Sequence, residues 1–501
     1  MNRATFDAGE FTLERVREHV WEIPRQGGMR VPARVLASRP LLEQIQQDRT
    51  LEQLTNTTHL PGIQKYALCM PDGHQGYGFP VGGVAGLDTE NGCISPGAVG
   101  YDINCGVRLL KTNLTYADVE GHETELVEAL FEAVPTGLGG GGVIENAPVE
   151  EILERGVEWA VEAGYGVDSD LAHCEDEGFR PEADPSKVSQ KAKDRGRNQV
   201  GSLGSGNHFL EVQRVTDIYD EHTADEFGLE RDQIVVLIHC GSRGLGHQVC
   251  TDYLREIERT HQGLLNQLPD KELAAAPAGS QLADDYYGAM CGAINFAWVN
   301  RQLIMHQTRQ VFEEVFDRPW QAMEMELLYD VAHNIAKKEV HEVGVDPEGR
   351  SAIGEDAVDT EQRELYVHRK GATRAFPAGR PELPPAYRDV GQPVLIPGSM
   401  GVGSYVLRGG ENSLAETFGS TAHGAGRLMS RTQAKSEYWG EDVRDDLREQ
   451  NQIYVKAESG ATIAEEAPGV YKDVDEVVRV SDALGIGDRV ARMYPVCNIK
   501  G

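Results

Sequence analysis

The sequence has little positive charge to offer a polyanion. Its 501 residues carry 48 Lys and Arg against 80 Asp and Glu, a formal net charge of -32, and only 13 of the basic residues are Lys. Bulk electrostatic attraction to nucleic acid is therefore excluded, and any such contact has to come from local basic clusters. The acidic balance fits adaptation to a high-salt cytoplasm, where screening makes self-repulsion tolerable; the other reading is an ordinary acidic protein. No apolar run is long enough to cross a bilayer. Met1 to Glu18 is too charged and polar for a secretory signal. The 8 cysteines contain no CxxC pair. Scattered through so long a chain, they form no disulfide framework, and a reducing cytoplasm is expected. Linkers and fixed-period repeats are also missing. The glycine run from Gly137 to Gly142 and the polar stretch from Gly344 to Thr360 read as surface loops. Although a prior of about 150 residues per domain allows about three, nothing marks a boundary, and 1–501 is expected to be one domain.

What is present is a mixed pattern with many glycines, 56 in all. Ile234 to Ile238 is a continuous β-branched and aliphatic run, the signature of a buried strand. His239 follows it, and Gly241, Gly244 and Gly246 are expected to make the next turn. Leu328, Val331, Ala332 and Ile335 recur at helical spacing and predict a helix from about Trp320 to His341, carrying His333. A second helix is expected from Gly292 to Phe316. Met70 to Gly83, dense in Pro and Gly, reads as a loop entering a strand.

Five short segments set a metal ligand or nucleophile among glycines or small polar residues. They are Asp102 to Gly106, Gly206 to His208, His239 to Gly244, His333-Asn334, and His423 to Arg427. Singly, each has a bland reading: a buried cysteine, a turn histidine, a satisfied core histidine. Together, Asp102, Cys105, His208, His239 and His333 make a plausible pair of sites with mixed N, O and S ligands, since a thiolate can bridge two cations. His423 stands in a small, open setting suited to bringing an imidazole against a phosphate, and an oriented imidazole can act as a covalent nucleophile. Asp72 and His74 are the candidates for orienting it.

These residues carry a specific resemblance. Tyr101 to Arg108, Gly206 to Glu211, His239 to Gly244, Val367 to Ala372 and Thr421 to Arg427 make the chain similar to the RtcB family of RNA-splicing ligases. The likeness runs from Met70-Pro71-Asp72-Gly73-His74 to Asn498-Ile499-Lys500-Gly501, with no departure at a position the family uses for chemistry. Before about Pro61 it is weaker. It implies an α+β fold of mixed sheets and helices around a central cleft. It also implies a GTP- and Mn²⁺-dependent ligase joining RNA 3′-phosphate or 2′,3′-cyclic phosphate ends to 5′-hydroxyl ends. On that resemblance Cys105 bridges two Mn²⁺ ions, Asp102 and His208 complete one site, and His239 and His333 the other. His423 carries GMP, with Asp72 holding its ring. Asn207, Glu211, Asn334, Ser399, Ser404, Ala425, Gly426, Tyr471 and Lys500 serve the nucleotide. Transfer-RNA halves are the expected substrate and archease an expected activator. Manganese comes from the resemblance alone, because a thiolate ligand by itself favours softer metals.

Two basic groups oppose the acidic background and are candidates for RNA phosphates: Lys187, Lys191, Lys193, Arg195 and Arg197, and then His368, Arg369, Lys370 and Arg374. Two other function classes share these residues. A dinuclear metal phosphoesterase predicts phosphate release without nucleotide. An RNA-binding protein with a structural metal predicts that no covalent nucleotide forms.

Overall fold

The computed structural model describes residues 4–137, 141–347, 352 and 357–501. Two eight-stranded sheets form its frame. The first runs in the order Thr5–Ala8, Phe11–Arg17, Val20–Ile23, Ala33–Leu36, Ala67–His74, Val81–Asp88, Asp359–Lys370, Asn334–Val345. The second runs Glu326–Ala332, Gly106–Thr115, Gln233–Cys240, Phe209–Ile218, Gly487–Lys500, Ser404–Gly409, Pro393–Ile396, with Tyr454–Ala457 parallel to Gly487–Lys500. Among the described residues no helix is long and apolar enough to cross a membrane.

The run Ile234 to Ile238 is the centre of the strand Gln233–Cys240, paired antiparallel on both sides and buried almost throughout. The glycines after it do not make an extended turn. Helix Arg243–Thr260 starts almost at once and includes Gly244 and Gly246. The expected helix at Gly292 to Phe316 is present but begins earlier, at Gln281, where the Ser280 side chain accepts the Ala283 N–H. It runs between layers, so it is buried nearly all round, including Asn295, Asn300, Arg301 and Gln302.

The helix expected at Trp320 to His341 is absent. Its place is taken by the strands Glu326–Ala332 and Asn334–Val345, with His333 at the break between them. Glu326–Ala332 is buried on both faces, so its apolar residues come in a continuous run that also matches helical spacing. In Asn334–Val345 the period of two is present, yet Lys337, Glu339 and His341 occupy inward positions and hide it. Ala67–His74 is likewise a strand where a loop was expected. Its register against Val81–Asp88 shifts between Cys69 and His74, and this irregularity holds Asp72. Part of the polar stretch Gly344 to Thr360 is strand, since Gly344 pairs with Thr360. Residues 138–140, 348–351 and 353–356 of the two expected loops lie outside the described residues.

One buried ionic knot ties the helix Gln281–Phe316 to the second sheet. Arg301 and Arg108 both bind Asp330, at 2.8 and 2.7 Å, with all three side chains fully buried. Arg301 also donates to the carbonyls of Asn104 (2.8 Å) and Cys240 (2.7 Å), the residues next to Cys105 and His239. Replacing Asp330 with Ala strands two buried guanidiniums, and a loss of roughly 3–5 kcal/mol of stability is expected. Denaturant unfolding checks this, and an unchanged midpoint contradicts it.

Candidate metal and nucleotide site

The metal candidates arrive from four strand ends and turns of the second sheet. Asp102 and Cys105 precede the strand Gly106–Thr115, and Asn104 between them takes a positive φ of 51°. His208 precedes Phe209–Ile218, His239 lies within Gln233–Cys240, and His333 breaks the sequence between two strands. Because adjacent strands pair antiparallel, these ends meet at one edge.

Their ligating atoms form two groups that share the Cys105 thiol: Cys105, His239 and His333, and Asp102, Cys105 and His208. Cys105 Sγ lies 3.2 Å from His239 Nε2 and 3.5 Å from His208 Nε2. His239 Nε2 faces His333 Nε2 at 3.2 Å, and His208 Nε2 meets Asp102 Oδ2 at 2.8 Å. Burial, and then the neighbouring histidines, hold His239 and His333 well below the usual imidazole range. Two neutral imidazoles and a sulfur thus turn lone pairs toward one point, which suits a cation. Burial followed by the Asp102 charge pushes the Cys105 thiol up to about 12. At the other group burial disfavours charge, but the facing Asp102 carboxylate reverses it and raises His208. The backing groups fix the rings and turns: His208 Nδ1 lies 2.9 Å from the Leu203 carbonyl, and Asn334 Nδ2 donates to the Asp102 carbonyl at 3.1 Å.

His423 sits beside this cluster, its ring centroid 4.7 Å from that of His333. Asp72 approaches from the other sheet. Its Oδ2 is 2.6 Å from His423 Nδ1 and accepts the backbone N–H of His423 (3.0 Å) and Gly424 (3.2 Å). Burial alone would raise the fully buried Asp72 carboxyl, but the charge and hydrogen bonds of His423 bring it below the usual range. The carboxylate is therefore ionised and fixes the tautomer that leaves Nε2 free. His74, the other candidate, makes no hydrogen bond to the His423 ring among the described residues; its Nδ1 lies 3.0 Å from the Asp72 carbonyl oxygen, and it lines the cavity. Gly426 makes the approach possible. It takes a φ of 78°, and a Cβ there would stand 2.1 Å from the Asp72 carbonyl oxygen.

A cavity of about 240 Å³ opens over His423, His239 and His333. Of the candidate nucleotide residues, Asn207, Glu211, Asn334, Ser399, Ala425, Gly426, Tyr471 and Lys500 line it. Ser404 lies behind its wall, where Oγ accepts from Gln213 and from the Gly398 N–H. Lys500 is not frayed: it is buried in the strand Gly487–Lys500, opposite Phe209. Ser399 Oγ is buried without a hydrogen-bond partner among the described residues, and Glu211 accepts from Gln213 and Asn498. Burial, only partly offset by Lys500, pushes the Glu211 carboxyl up to about 7.

Sequence reasoning missed Glu466. It is fully buried, accepts from Tyr471 and from Arg427 at 2.9 Å, and lies 3.5 and 3.6 Å from Arg431 and Lys500. Only Tyr471 is near it in sequence; its basic partners Arg427, Arg431 and Lys500 are distant in the chain, so the local sequence does not signal this. Of the second basic group, His368, Arg369 and Arg374 are buried and held by partners away from solvent, whereas Lys370, also buried, lines the cavity. Arg369 is paired with Glu339 and Arg374 with Glu175 and Asp176, while Lys370 donates to the carbonyls of Tyr77, Phe79 and Gly97. In the first group Lys187 and Lys193 are paired with Asp285 and Glu150, and Lys191 and Arg195 are exposed.

Comparison with known proteins decides what this arrangement belongs to. The family model described as tRNA-splicing ligase RtcB matches residues 53–501. The chain belongs to the RtcB family. It is 54% identical over 492 residues to the tRNA-splicing ligase RtcB of Thermococcus kodakarensis, covering 98% of this chain and 99% of that one. It is 50% identical to the RtcB proteins of Archaeoglobus fulgidus and Pyrobaculum aerophilum, again over 98% of this chain and 99% of each relative. The family match thus covers the second sheet, four strands of the first from Ala67–His74 onward, and every candidate site residue. The mixed α+β architecture anticipated from the resemblance is what the chain adopts.

Proposed function

We propose that this protein is a GTP- and Mn²⁺-dependent RNA ligase that joins 3′-phosphate or 2′,3′-cyclic phosphate ends to 5′-hydroxyl ends, transfer-RNA halves among them. The observation that carries this is the Asp72–His423 pair set against a thiol-centred ligand cluster in one cavity. A hydrolase can also use a carboxylate-held histidine as acid or base, so a covalent nucleotide on His423 is what separates the two readings.

Cys105 would hold both ions, with Asp102 and His208 on one side and His239 and His333 on the other. When bound, the ions supply charge neutralisation for the reacting phosphates. His423 Nε2 attacks the α-phosphorus of GTP, forming a P–N bond as the bond to pyrophosphate breaks. Asp72 keeps the Nδ1 proton in place and stabilises the cationic ring. The GMP then passes from His423 to the RNA 3′-phosphate, breaking the P–N bond and giving that phosphate a good leaving group. The 5′-hydroxyl displaces GMP and forms the phosphodiester. A cyclic phosphate is first opened by water.

Glu211 suits a guanine, whose N1–H and N2–H it can accept when ionised; Asn498 and Gln213 hold it in place. This gives a pH dependence with a definite sign. With its carboxyl at about 7, Glu211 is protonated in more acidic solution and loses its acceptor role. GTP affinity is expected to fall about tenfold per pH unit below that point and to level off above it. In Glu211→Gln the dependence should vanish and discrimination against ATP weaken. Calorimetric titration at several pH values checks this, and a flat wild-type profile contradicts it.

The direct test supplies two RNA strands, one labelled at its 3′-phosphate. Retention of that label within a joined strand, with GTP required, supports the ligase. Release of the label as phosphate without GTP favours a dinuclear phosphoesterase.

A further inference from the structure

We propose that the Tyr101–His247 aromatic stack at the cavity mouth is a platform for the nucleobase at an RNA end being joined; this rests on the ligase reading. Tyr101 lines the cavity and immediately precedes Asp102 in the chain. Its ring stacks on His247 with centroids 4.8 Å apart and planes at 27°. Tyr77 meets Tyr101 edge-on, with centroids 5.4 Å apart and planes at 62°, which helps to fix the ring. His247 is exposed and lies four residues after Arg243 on the helix Arg243–Thr260, so both share a face. Burial and then Arg195 lower its imidazole, leaving a flat neutral ring at neutral pH.

The charges around the stack suit a backbone of phosphates. Arg243 Nη1 lies 3.3 Å from His208 Nδ1, and its buried Nε has no hydrogen-bond partner among the described residues. The helix Gln190–Arg197 packs alongside and contributes exposed Lys191 and Arg195, one turn apart. Arg195 is anchored by Nη1 to Gln248 Oε1 at 3.0 Å. The acids that face the stack are Glu272, which accepts the Gly78 N–H at 2.8 Å, Glu258 beside the two tyrosines, and Asp102 toward His247. In a chain of net charge -32, cations and a half-open aromatic stack thus lead away from the metal ligands. That combination binds single-stranded nucleic acid by base stacking and phosphate contact. It also explains an exposed imidazole stacked on a ring that lines the cavity, which core packing does not require.

The test uses the full-length protein with Mn²⁺ and RNA carrying 2-aminopurine at the terminal nucleotide. One set is labelled at the 3′-phosphate end and another at the 5′-hydroxyl end. Fluorescence quenching with one strand is expected, and the strand that responds identifies the end. His247→Ala should abolish the quenching and raise the KM for that strand by roughly tenfold, and His247→Phe should restore both. Arg195→Ala should lower the salt slope of binding by about one. In both variants formation of the His423 adduct without RNA should proceed at the wild-type rate. No quenching from either strand, or a wild-type KM in His247→Ala, overturns the proposal. So does a parallel loss of adduct formation, which makes His247 structural. Absence of any adduct in the wild type overturns the ligase reading along with it.

Discussion

Cys105→Ala is expected to lose both proposed metals at once. The thiol is the one atom common to the two ligand groups, 3.2 Å from His239 Nε2 and 3.5 Å from His208 Nε2. His333→Ala leaves Asp102, Cys105 and His208 intact and should cost only one ion. The contrast between the two variants matters more than either alone, since any buried substitution can weaken a site. Titration of metal-free protein with Mn²⁺ should give about two ions for the wild type, about one for His333→Ala and none at comparable affinity for Cys105→Ala. Circular dichroism should stay unchanged, because the Arg301–Asp330 knot holds the neighbouring turn by its carbonyls without using the thiol. Retention of one ion in Cys105→Ala contradicts a shared thiolate.

Asp72→Asn slows formation of the covalent nucleotide by roughly 10³- to 10⁴-fold, the scale seen when a histidine is held in the wrong tautomer. The Asp72 carboxylate gathers three N–H groups on one oxygen. An amide with its oxygen in the Oδ2 place keeps the three contacts but lacks the charge that stabilises the cationic ring; with its NH₂ there it faces three donors, and the His423 proton shifts to Nε2. Either way the nucleophile is weakened while the cavity keeps its form. GTP affinity should change little, since Glu211, Ser399 and Lys500 are untouched. A rapid-quench measurement of adduct formation separates the two effects. A rate within tenfold of wild type means that Asp72 does not set the tautomer.

The candidate site was legible in the sequence to the extent that its residues sit in short motifs. Asp102 and Cys105 are three apart, His239 directly follows an unbroken β-branched run, and His423 lies among small residues. The structure brings His239 and His423 to one cavity and sets Cys105 against His239, with Asp102 in the adjoining ligand group. The fold around them was less legible. Glu326–Ala332 has both faces buried, so its pattern could not separate strand from helix. Lys337 and Glu339 point inward because Glu175 and Arg369 await them there, and sequence periodicity cannot see such partners. The same holds for Glu466, whose role exists only once Arg427, Arg431 and Lys500 have converged on it. Lys370 and Arg369 read as a basic surface cluster for the same reason: charge in a sequence carries no sign of burial.

The central claim is that His423, oriented by Asp72 beside a metal cluster, takes GMP from GTP. The most direct measurement incubates folded protein with GTP labelled at the α-phosphate and Mn²⁺ in molar KCl, then denatures it. The expected result is an acid-labile, alkali-stable label on the protein that requires the metal and is absent in His423→Ala. Folded, metal-loaded wild-type protein that acquires no label, or His423→Ala that still does, contradicts it.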